Sequence, residues 1–303
     1  MIYNKNDERE RKMKTKLGIV IINYNDYETT KRLLENIKNY KCLEKIVIVD
    51  NNSTDDSLKK LKEFESNKIT IIKNSNRHFA SGLNVGAKYL IKKVGKCNII
   101  FSNSDIIIKS ENDLKQLSSD IGKKIGVVGP VIYEHGNLNR GWKLPSANQE
   151  ILFNLPFISR YFKKKFLYYN EQMYKANTVK VDVVSGCFFV VSSSMLERIG
   201  FFDENTFLYY EEQIFAQKVK NQGYEEVIDT QVQIIHDHSV TIDKNVNKIR
   251  KYRILKSSQK YFVKKYLKAN ILQNTLLYIT NKLSLIILYI RVYLGGRKWK
   301  ELF

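Results

Sequence analysis

The chain has 303 residues, of which 43% are hydrophobic and 27% charged, so it can bury a large core, and wholesale disorder is excluded. Its 51 Lys and Arg residues against 31 Asp and Glu give a formal charge of +20, which predicts an anionic partner such as nucleic acid, a phospholipid surface or a phosphorylated substrate. The cysteines Cys42, Cys97 and Cys187 are odd in number and far apart, which argues against both a disulfide framework and a zinc knuckle.

Residues 1–14 are charged and lack the apolar core of a signal peptide. We expect this segment to be disordered and the protein to stay in the cytoplasm. The first half of the folded chain then alternates short apolar runs with amphipathic stretches, which predicts a parallel sheet with right-handed crossovers. The predicted strands are Leu17–Ile22, Ile46–Val49, Ile69–Ile72 and Asn98–Phe101, and the predicted helices are Tyr27–Tyr40, Asp56–Phe64 and Ser81–Val94.

All four strands end in polar loops, which should meet at one edge of the sheet and which hold Asn23, Asp50, Asn76 and Asp105. The carboxyl edge of an open α/β sheet is where ligands bind. Asp50 follows an unbroken β-branched run, so it ends a buried strand and is either a ligand-binding carboxylate or a turn residue.

After Ile108 the alternation is less regular and predicts a mixed extension of the sheet. The expected elements are a helix from Asn112, strands at Val127–Val128, Lys180–Val184, Cys187–Val191 and Val232–Ile235, and a helix from Glu211 to Gln222 closed by Gly223. Leu152 to Tyr169 is rich in aromatic residues and lysine. It is either a surface helix docked on the core or an acceptor-side or membrane-facing insertion.

From Asp243 onward the sequence indicates only helices, and ten basic residues lie between Lys244 and Lys268. Leu276–Leu294 is apolar but interrupted by Thr, Asn, Lys, Ser and Arg, which favours an interfacial helix over a transmembrane one. We therefore predict a disordered segment at 1–14, a main domain at 15–242 and a basic amphipathic helical extension at 243–303.

Three polar groups of residues have chemical potential. Asn103 and Asp105 follow a strand and offer oxygen ligands for one hard cation. His236 and His238 alternate after another strand, so both imidazoles can face one metal, or the triplet is a hydrogen-bonded turn. In the third group, Glu211 and Glu212 begin a helix after an aromatic run, as a general base or as charges that complement the helix dipole.

Taken in order, these stretches resemble the family 2 glycosyltransferases, inverting enzymes of GT-A fold that include bacterial rhamnosyltransferases and galactofuranosyltransferases of surface polysaccharides. The resemblance covers about Leu17 to Val240. The matching stretches are Asn23–Asn25, Asp50–Asp55, Asn76–Asn84, Asn103–Asp105, Ser185–Cys187, Phe202–Glu204, Tyr210–Glu212 and His236–Ser239.

The resemblance implies a role for each matching residue. Those at the donor are Asn23, Asn25, Asp50, Asn52, Asn76, Phe79, Ala80, Asn84, Asn103 and Ser104. Asp105 with His236 or His238 would bind a divalent cation, Mg²⁺ or Mn²⁺, and Glu212 stands where the family has its catalytic Asp, with Glu211 as the other candidate. Two positions depart from the family pattern: Asn103 replaces the first acid of D-x-D, and the base is Glu.

The implied activity is transfer of a sugar from dTDP-rhamnose or a UDP-sugar to a saccharide or lipid-linked saccharide acceptor, by a peripheral protein on the inner face of the cell membrane. An anionic membrane surface is an expected partner and nucleic acid is not. A dinucleotide-dependent oxidoreductase is set aside, because no G-x-G-x-x-G follows the first strand. The rival interpretation is an inactive, transferase-like basic protein that binds membrane or nucleic acid.

Overall fold

The computed structural model describes residues 15–76, 78–237 and 248–293. The predicted disorder at 1–14, the boundary at 242/243, the motif residue Arg77, the metal candidate His238 and the end of the extension lie outside the described residues. The structure is a mixed α/β fold in which helices flank a curled, mainly parallel sheet and further helices follow at the C-terminal side, as the sequence predicts.

The first half of the sheet is parallel, as predicted. Its strands are β1 (Leu17–Asn23), β2 (Leu43–Asp50), β3 (Ile69–Lys73) and β4 (Asn98–Asn103), and β1 lies between β2 and β4. In the parallel register Asn23 is opposite Asp50, and Ile22 is opposite Asn103. The polar residues that end these strands therefore share one edge. The helices of this half are α1 (Tyr27–Ile37), α2 (Ser57–Leu61) and α3 (Phe79–Val94), with a 3₁₀ turn at Lys62–Phe64.

The second half of the sheet is mixed. It contains β5 (Ile106–Ile107), β6 (Ile125–Glu134), β7 (Asn137–Asn139), β8 (Thr178–Val181), β9 (Phe188–Ser192) and β10 (Glu225–His236). The strand order is β3-β2-β1-β4-β9-β6-β10-β5, with β7 beside β6 and β8 beside β10. β9 is antiparallel to both β4 and β6, and β10 is parallel to β6. β9 thus joins the parallel half to the mixed half.

Four predicted elements differ clearly from the structure. β6 spans ten residues where only Val127–Val128 was expected. β10 begins seven residues before the expected Val232. The acidic residues in its first half interrupt the apolar pattern by which a strand is recognised. β8 ends at Val181 rather than Val184. The helix expected over Leu152–Tyr169 is shorter in the structure: α6 (Pro156–Leu167) begins at Pro156, because proline is compatible with the first turn of a helix and not with its interior. A separate helix that was not expected, α5 (Ala147–Leu152), precedes it.

The remaining helices are α4 (Glu111–Ser119), α7 (Ser193–Arg198), α8 (Glu211–Asn221), α9 (Lys248–Lys265) and α10 (Ile271–Tyr293), and Glu171–Lys175 forms a second 3₁₀ turn. α9 and α10 pack on helices that precede them. Phe262, Val263 and Leu277 are buried in one cluster with Ile151 of α5 and Ile214 of α8. Along the described ranges, only the stretch from Ile271 to Ile290 is long and apolar enough to cross a membrane. Within the most apolar part of this stretch, 17% of the residues are buried.

Candidate active site

The loops after β1 and β2 are joined by a buried polar network centred on Asp50. Oδ1 of Asp50 accepts hydrogen bonds from Asn23 Nδ2 at 2.8 Å and Ser53 Oγ at 2.5 Å, and Oδ2 accepts one from the Ser53 backbone N–H at 3.1 Å. Asp50 and Asn23 are both fully buried. Asp50 therefore binds the loop that follows it, and its carboxylate does not project from the sheet edge.

Asn25 and Asn52 form the accessible part of this edge. Both have left-handed backbones, with φ of 51° and 66°, a conformation that Asn tolerates better than most residues. Oδ1 of Asn25 accepts a hydrogen bond from the Thr54 backbone N–H at 2.7 Å, which ties the first loop to the second. Both asparagines are half-buried, so they line the surface above Asp50.

The loop before α3 is held by asparagines. Asn76 Oδ1 accepts the backbone N–H of His78 at 3.0 Å, and Asn74 Nδ2 donates to Asn51 Oδ1 at 2.7 Å. Asn74 was not singled out from the sequence, and Asn51 was included only as part of the stretch Asp50–Asp55. Their signal is their place after β3 and β2, where buried amides close the loops.

Two residues expected at the donor lie below this surface. Ala80 is fully buried, and Asn84 uses both ends of its side chain on the loop before α8: Oδ1 accepts from the Phe202 backbone N–H at 2.9 Å, and Nδ2 donates to Glu204 Oε1 at 2.7 Å. The expectation that Ala80 and Asn84 face the donor directly does not fit this geometry. Asn84 fixes the loop against α3, Ala80 packs in the hydrophobic core, and Phe79 lines the cavity described below.

The end of β4 and the residues after it bring the predicted group of Asn103 and Asp105 to the same edge of the sheet. Asn103 lines the cavity, and Ser104 Oγ donates to Asp26 Oδ2 at 3.0 Å. Asp105 Oδ1 is buried and has no hydrogen bond of good geometry, although it lies 3.1 Å from His236 Nε2. On its other side His236 places Nδ1 3.1 Å from Glu134 Oε2.

Asp105 and His236 could share either a proton or a divalent cation. Burial lowers the pKa of His236, but the close approach of Asp105, Cys187 and Glu134 to its ring outweighs burial and raises the pKa to about 12. When Nδ1–H donates to Glu134, the Nε2 lone pair faces the Asp105 carboxylate, and two acceptors this close need a proton or a cation between them. Glu134 lies beyond the opposite ring nitrogen, so it orients the imidazole, and the described residues hold no cluster of three converging ligands.

The start of α8 is unusual in its backbone. Tyr209 and Tyr210 both have left-handed φ angles, 72° and 69°, which cost of order 1–3 kcal/mol each in a residue with a side chain. Tyr210 is held by its hydroxyl, which donates to Glu150 Oε2 at 2.6 Å, and Glu150 in turn accepts Gln259 Nε2 at 2.6 Å from α9. α9 therefore helps to fix the turn that aims Glu211 and Glu212.

Glu211 and Glu212 both line a cavity of about 300 Å³. Burial raises the pKa of Glu211 to about 8, with a further contribution from the Glu212 charge, and burial also raises the pKa of Glu212. A position at a helix N-terminus favours the ionised form of both carboxylates. Desolvation is the larger effect here, because these side chains lie in an apolar cavity with Phe189 and Phe215.

Of these two carboxylates, only Glu212 also lines a second cavity, which has a volume of about 470 Å³ and lies on the side of α5 and α9. We call this the acceptor-side cavity; Trp142, Tyr209 and Tyr210 form part of its wall. Glu212 thus lies between two cavities. Gly186 leaves room for it, since a Cβ built there would come within 2.8 Å of the Glu212 side chain.

Sequence reasoning missed Glu226 and Glu134 in the first cavity. Glu226 accepts the Val184 backbone N–H at 2.9 Å, its other oxygen has no partner, and burial raises its pKa to about 8. Glu226 could have been identified from the sequence as an acidic residue next to the apolar residues of β10. Glu134 ends β6 beside a turn, a position that draws no attention without the fold.

Comparison with known proteins identifies the family of the chain. The model of glycosyl transferase family 2 matches residues 18–200. Over 245 residues the chain is 23% identical to the low-salt glycan biosynthesis hexosyltransferase Agl10 of Haloferax volcanii, covering 79% of this chain and 73% of the relative.

Three solved structures share the fold. A mannosyltransferase from Pyrobaculum calidifontis, in complex with GDP-Man and Mn²⁺, has a TM-score of 0.55 at 16% identity and covers 93% of this chain and 76% of its own. GalNAc-T7 with UDP, GalNAc and Mn²⁺ has a TM-score of 0.57 at 14% identity over 73% of this chain, which spans 44% of GalNAc-T7. Residues 1–349 of S. aureus TarS give 0.51 at 13% identity, covering 94% and 75%.

At these identities the solved structures establish the GT-A fold, and the family model, which covers more than half of the chain, establishes the family. The chain belongs to glycosyl transferase family 2 and is a glycosyltransferase of the hexosyltransferase type.

Proposed function

We propose that the protein is an inverting transferase that moves a sugar from a nucleotide-diphosphate donor, dTDP-rhamnose or a UDP-sugar, to a hydroxyl of a surface saccharide or lipid-linked saccharide. The observation that carries the proposal is the position of Glu212, which lines both the cavity at the sheet edge and the acceptor-side cavity. A carboxylate between two cavities is placed to take a proton from a hydroxyl in one as that oxygen attacks a carbon in the other.

Glu212 acts as the general base in this reaction. The acceptor oxygen bonds to the anomeric carbon while the bond from that carbon to the nucleoside diphosphate breaks, and the hydroxyl proton passes to Glu212. A single displacement on the face opposite the leaving group inverts the anomeric centre. Burial raises the Glu212 pKa above its usual value, which increases its basicity.

Asp105 and His236 would hold a divalent cation, Mg²⁺ or Mn²⁺, and Asn103 would assist as a neutral oxygen. A cation bound there supplies positive charge for the leaving phosphates. Two of the solved structures that share this fold contain Mn²⁺, which supports the presence of a divalent cation. Glu134 keeps the His236 ring in its orientation through the 3.1 Å contact at Nδ1.

The donor nucleotide would lie along the surface formed by Asn25, Asn52 and Asn76, next to Asn103. Asp50 and Asn23 act beneath it as positioning residues, because their buried network sets the loop that carries Asn52 and Ser53. Ser104 supports the same edge through Asp26.

The experiment that tests the proposal is a thermal-stability screen of nucleotide sugars with Mn²⁺, followed by calorimetry on any that stabilise. A donor that binds only the folded protein raises its melting temperature. We expect at least one dTDP- or UDP-sugar to bind in Mn²⁺ and to bind less tightly in EDTA. If no nucleotide sugar stabilises the protein under either condition, the proposal is wrong.

Attachment to an anionic membrane on the cytoplasmic face is part of the proposal. α10 exposes a row of large apolar side chains: Ile271, Leu272, Leu276, Ile279, Leu283, Ile286 and Ile290. α9 adds a dense set of lysines and arginines, each worth about 1 kcal/mol close to an anionic surface. An apolar strip combined with basic residues suffices for stable attachment.

A further inference from the structure

A large open groove adjoins the active site, and Asn25, Asn52 and Asn76 of the proposed donor surface do not line it. We call it the basic groove: it has a volume of about 1320 Å³ and is formed by the end of β6, the β7 hairpin, α6 and the segment from Tyr168 to Tyr174. Six cationic and two anionic side chains line it. The cations are Arg140, Lys143, Arg160, Lys163, Lys164 and Lys165, and the anions are Glu134 and Glu171.

The basic groove is continuous with the active site. Glu134, which contacts His236, lines both the groove and the first cavity. Ser159, Lys163 and Tyr168 line both the groove and the acceptor-side cavity, which Glu212 also lines. A molecule whose hydroxyl reaches Glu212 can therefore extend into the groove without leaving the protein surface.

The lysines of α6 have unused charge. In the described part of the chain, Lys163, Lys164 and Lys165 form neither an ion pair nor a side-chain hydrogen bond, and Lys164 and Lys165 are exposed in the last turn of the helix. Arg140, in contrast, donates to both oxygens of Glu171 at 2.7 Å and stacks on Tyr174 at 4.2 Å. An uncompensated group of cations in a concave site attracts a multiply charged anion, and phosphate oxygens are good acceptors for lysine.

The same helix exposes aromatic rings. α6 contains no acid and buries only Leu167, while Phe157, Tyr161, Phe162 and Phe166 are each about half exposed or more. A helix that buries one side chain is not stabilised by packing on its own domain. Exposed aromatic side chains interspersed with cations are typical of a surface that meets lipid at the level of its headgroups.

We propose that the basic groove holds the diphosphate of an acceptor whose saccharide is linked through that diphosphate to a lipid, with the hydrocarbon covering the rings of α6. This inference rests on the proposed function and names its acceptor class. It explains why the cations and the exposed rings lie together on the acceptor side of Glu212 and not beside the donor loops.

The test is calorimetric titration of the full chain with three probes in EDTA, which removes the cation that the donor site needs. The probes are farnesyl diphosphate, inorganic pyrophosphate and farnesol. We expect farnesyl diphosphate to bind most tightly, pyrophosphate more weakly and farnesol most weakly. Equal binding of pyrophosphate and farnesyl diphosphate would overturn the lipid part, and equal binding of farnesol would overturn the phosphate part.

A pair of charge-reversal variants locates the binding. K164E/K165E should weaken farnesyl diphosphate binding about tenfold or more, since charged hydrogen bonds are lost. K92E/K93E is the matched control, because Lys92 and Lys93 are also adjacent, exposed and in the last turn of a helix, on α3. Equal loss in both variants would contradict the proposal. K164Q/K165Q should give a smaller loss in the same direction.

Binding and hydrolysis of the nucleotide sugar are measured separately from binding in the groove. K164E/K165E should bind the nucleotide sugar and release nucleoside diphosphate to water as the unmodified protein does. If the unmodified protein binds no nucleotide sugar, the proposed function fails while the farnesyl diphosphate titration still judges the groove. If the donor binds and K164E/K165E leaves farnesyl diphosphate affinity unchanged, the groove inference alone is wrong.

Discussion

Replacing Glu211 by Gln should make the protein more stable at alkaline pH. The Glu211 pKa rises from 4.5 to about 8 because the side chain is buried next to Glu212, so the folded state holds a proton that the unfolded state has lost. The stability that this proton preserves is complete below pH 4.5 and is lost as the pH rises to about 8. At about 1.4 kcal/mol for each pH unit, the total penalty is roughly 5 kcal/mol.

Gln has the shape of the protonated acid and no charge to desolvate, so Glu211→Gln should match the unmodified protein near pH 5 and exceed its stability by up to about 5 kcal/mol near pH 9. Urea unfolding at pH 5, 7 and 9 measures this difference. Glu197→Gln is the control, since Glu197 is exposed on α7. A constant difference across the pH range, or the same trend in the control, would refute the argument that burial raises the Glu211 pKa.

Three further predictions follow from single contacts. Gly186→Ala places a Cβ within 2.8 Å of Glu212, so it should displace that side chain and lower kcat about tenfold or more with donor affinity unchanged; a normal kcat would contradict the placement of Glu212. Asp105→Ala should abolish turnover and remove the effect of EDTA on donor affinity measured by calorimetry, whereas a retained EDTA effect would place the cation elsewhere. Replacing the exposed Leu283 and Ile286 of α10 by Ser should reduce co-sedimentation with phosphatidylglycerol vesicles, and equal sedimentation would exclude α10 from the attachment.

Those α10 substitutions are a sharper test of membrane attachment than removal of the C-terminal helices. Phe262 and Val263 of α9 are fully buried, and Ser258 Oγ donates to the Leu208 carbonyl at 2.8 Å in the loop before α8. Tyr261 donates to Asp203 at 2.8 Å in the same loop. Deleting α9 would therefore expose core and release the turn that carries the proposed base, whatever its effect on lipid binding.

The parallel half of the fold was predictable because its signals are local. β1 and the Ile46–Val49 part of β2 are unbroken apolar runs, and the two strands end in Asn23 and Asp50, which favour turns. The mixed half was less predictable. β10 pairs with β6 about a hundred residues earlier, and its register shifts between Asp229 and Gln233, which no periodicity in either segment reveals.

The candidate site divides in the same way. Asp105, His236, Glu211 and Glu212 were identified from short motifs, and the fold brings Asp105 and His236 to 3.1 Å of each other. Glu226 could not be found in this manner, because its importance comes only from burial beside residues far apart in the chain. The inward use of Asp50 and Asn84 was also hidden, since a motif names a residue but does not say which way its side chain points.

The ionisation of Glu211 and Glu212 could not be predicted from the sequence for a similar reason. Position at a helix N-terminus predicts ionised carboxylates, and the sequence contains that position. It does not contain the apolar cavity around Glu211 and Glu212, whose desolvation raises both pKa values. Burial is a property of the assembled fold, so the balance between these two effects could be read only from the structure.

The most direct test of the central claim is the rate of nucleoside diphosphate release in the presence of acceptor by Glu212→Gln, compared with Glu211→Gln and the unmodified protein. Glu212→Gln keeps the shape of the side chain and removes its basicity, so kcat should fall by about 10²-fold or more while donor affinity stays nearly constant. Glu211→Gln should have the milder effect. If Glu211→Gln is inactive and Glu212→Gln turns over normally, the base is Glu211; if both turn over normally, neither carboxylate removes the proton and the account is contradicted.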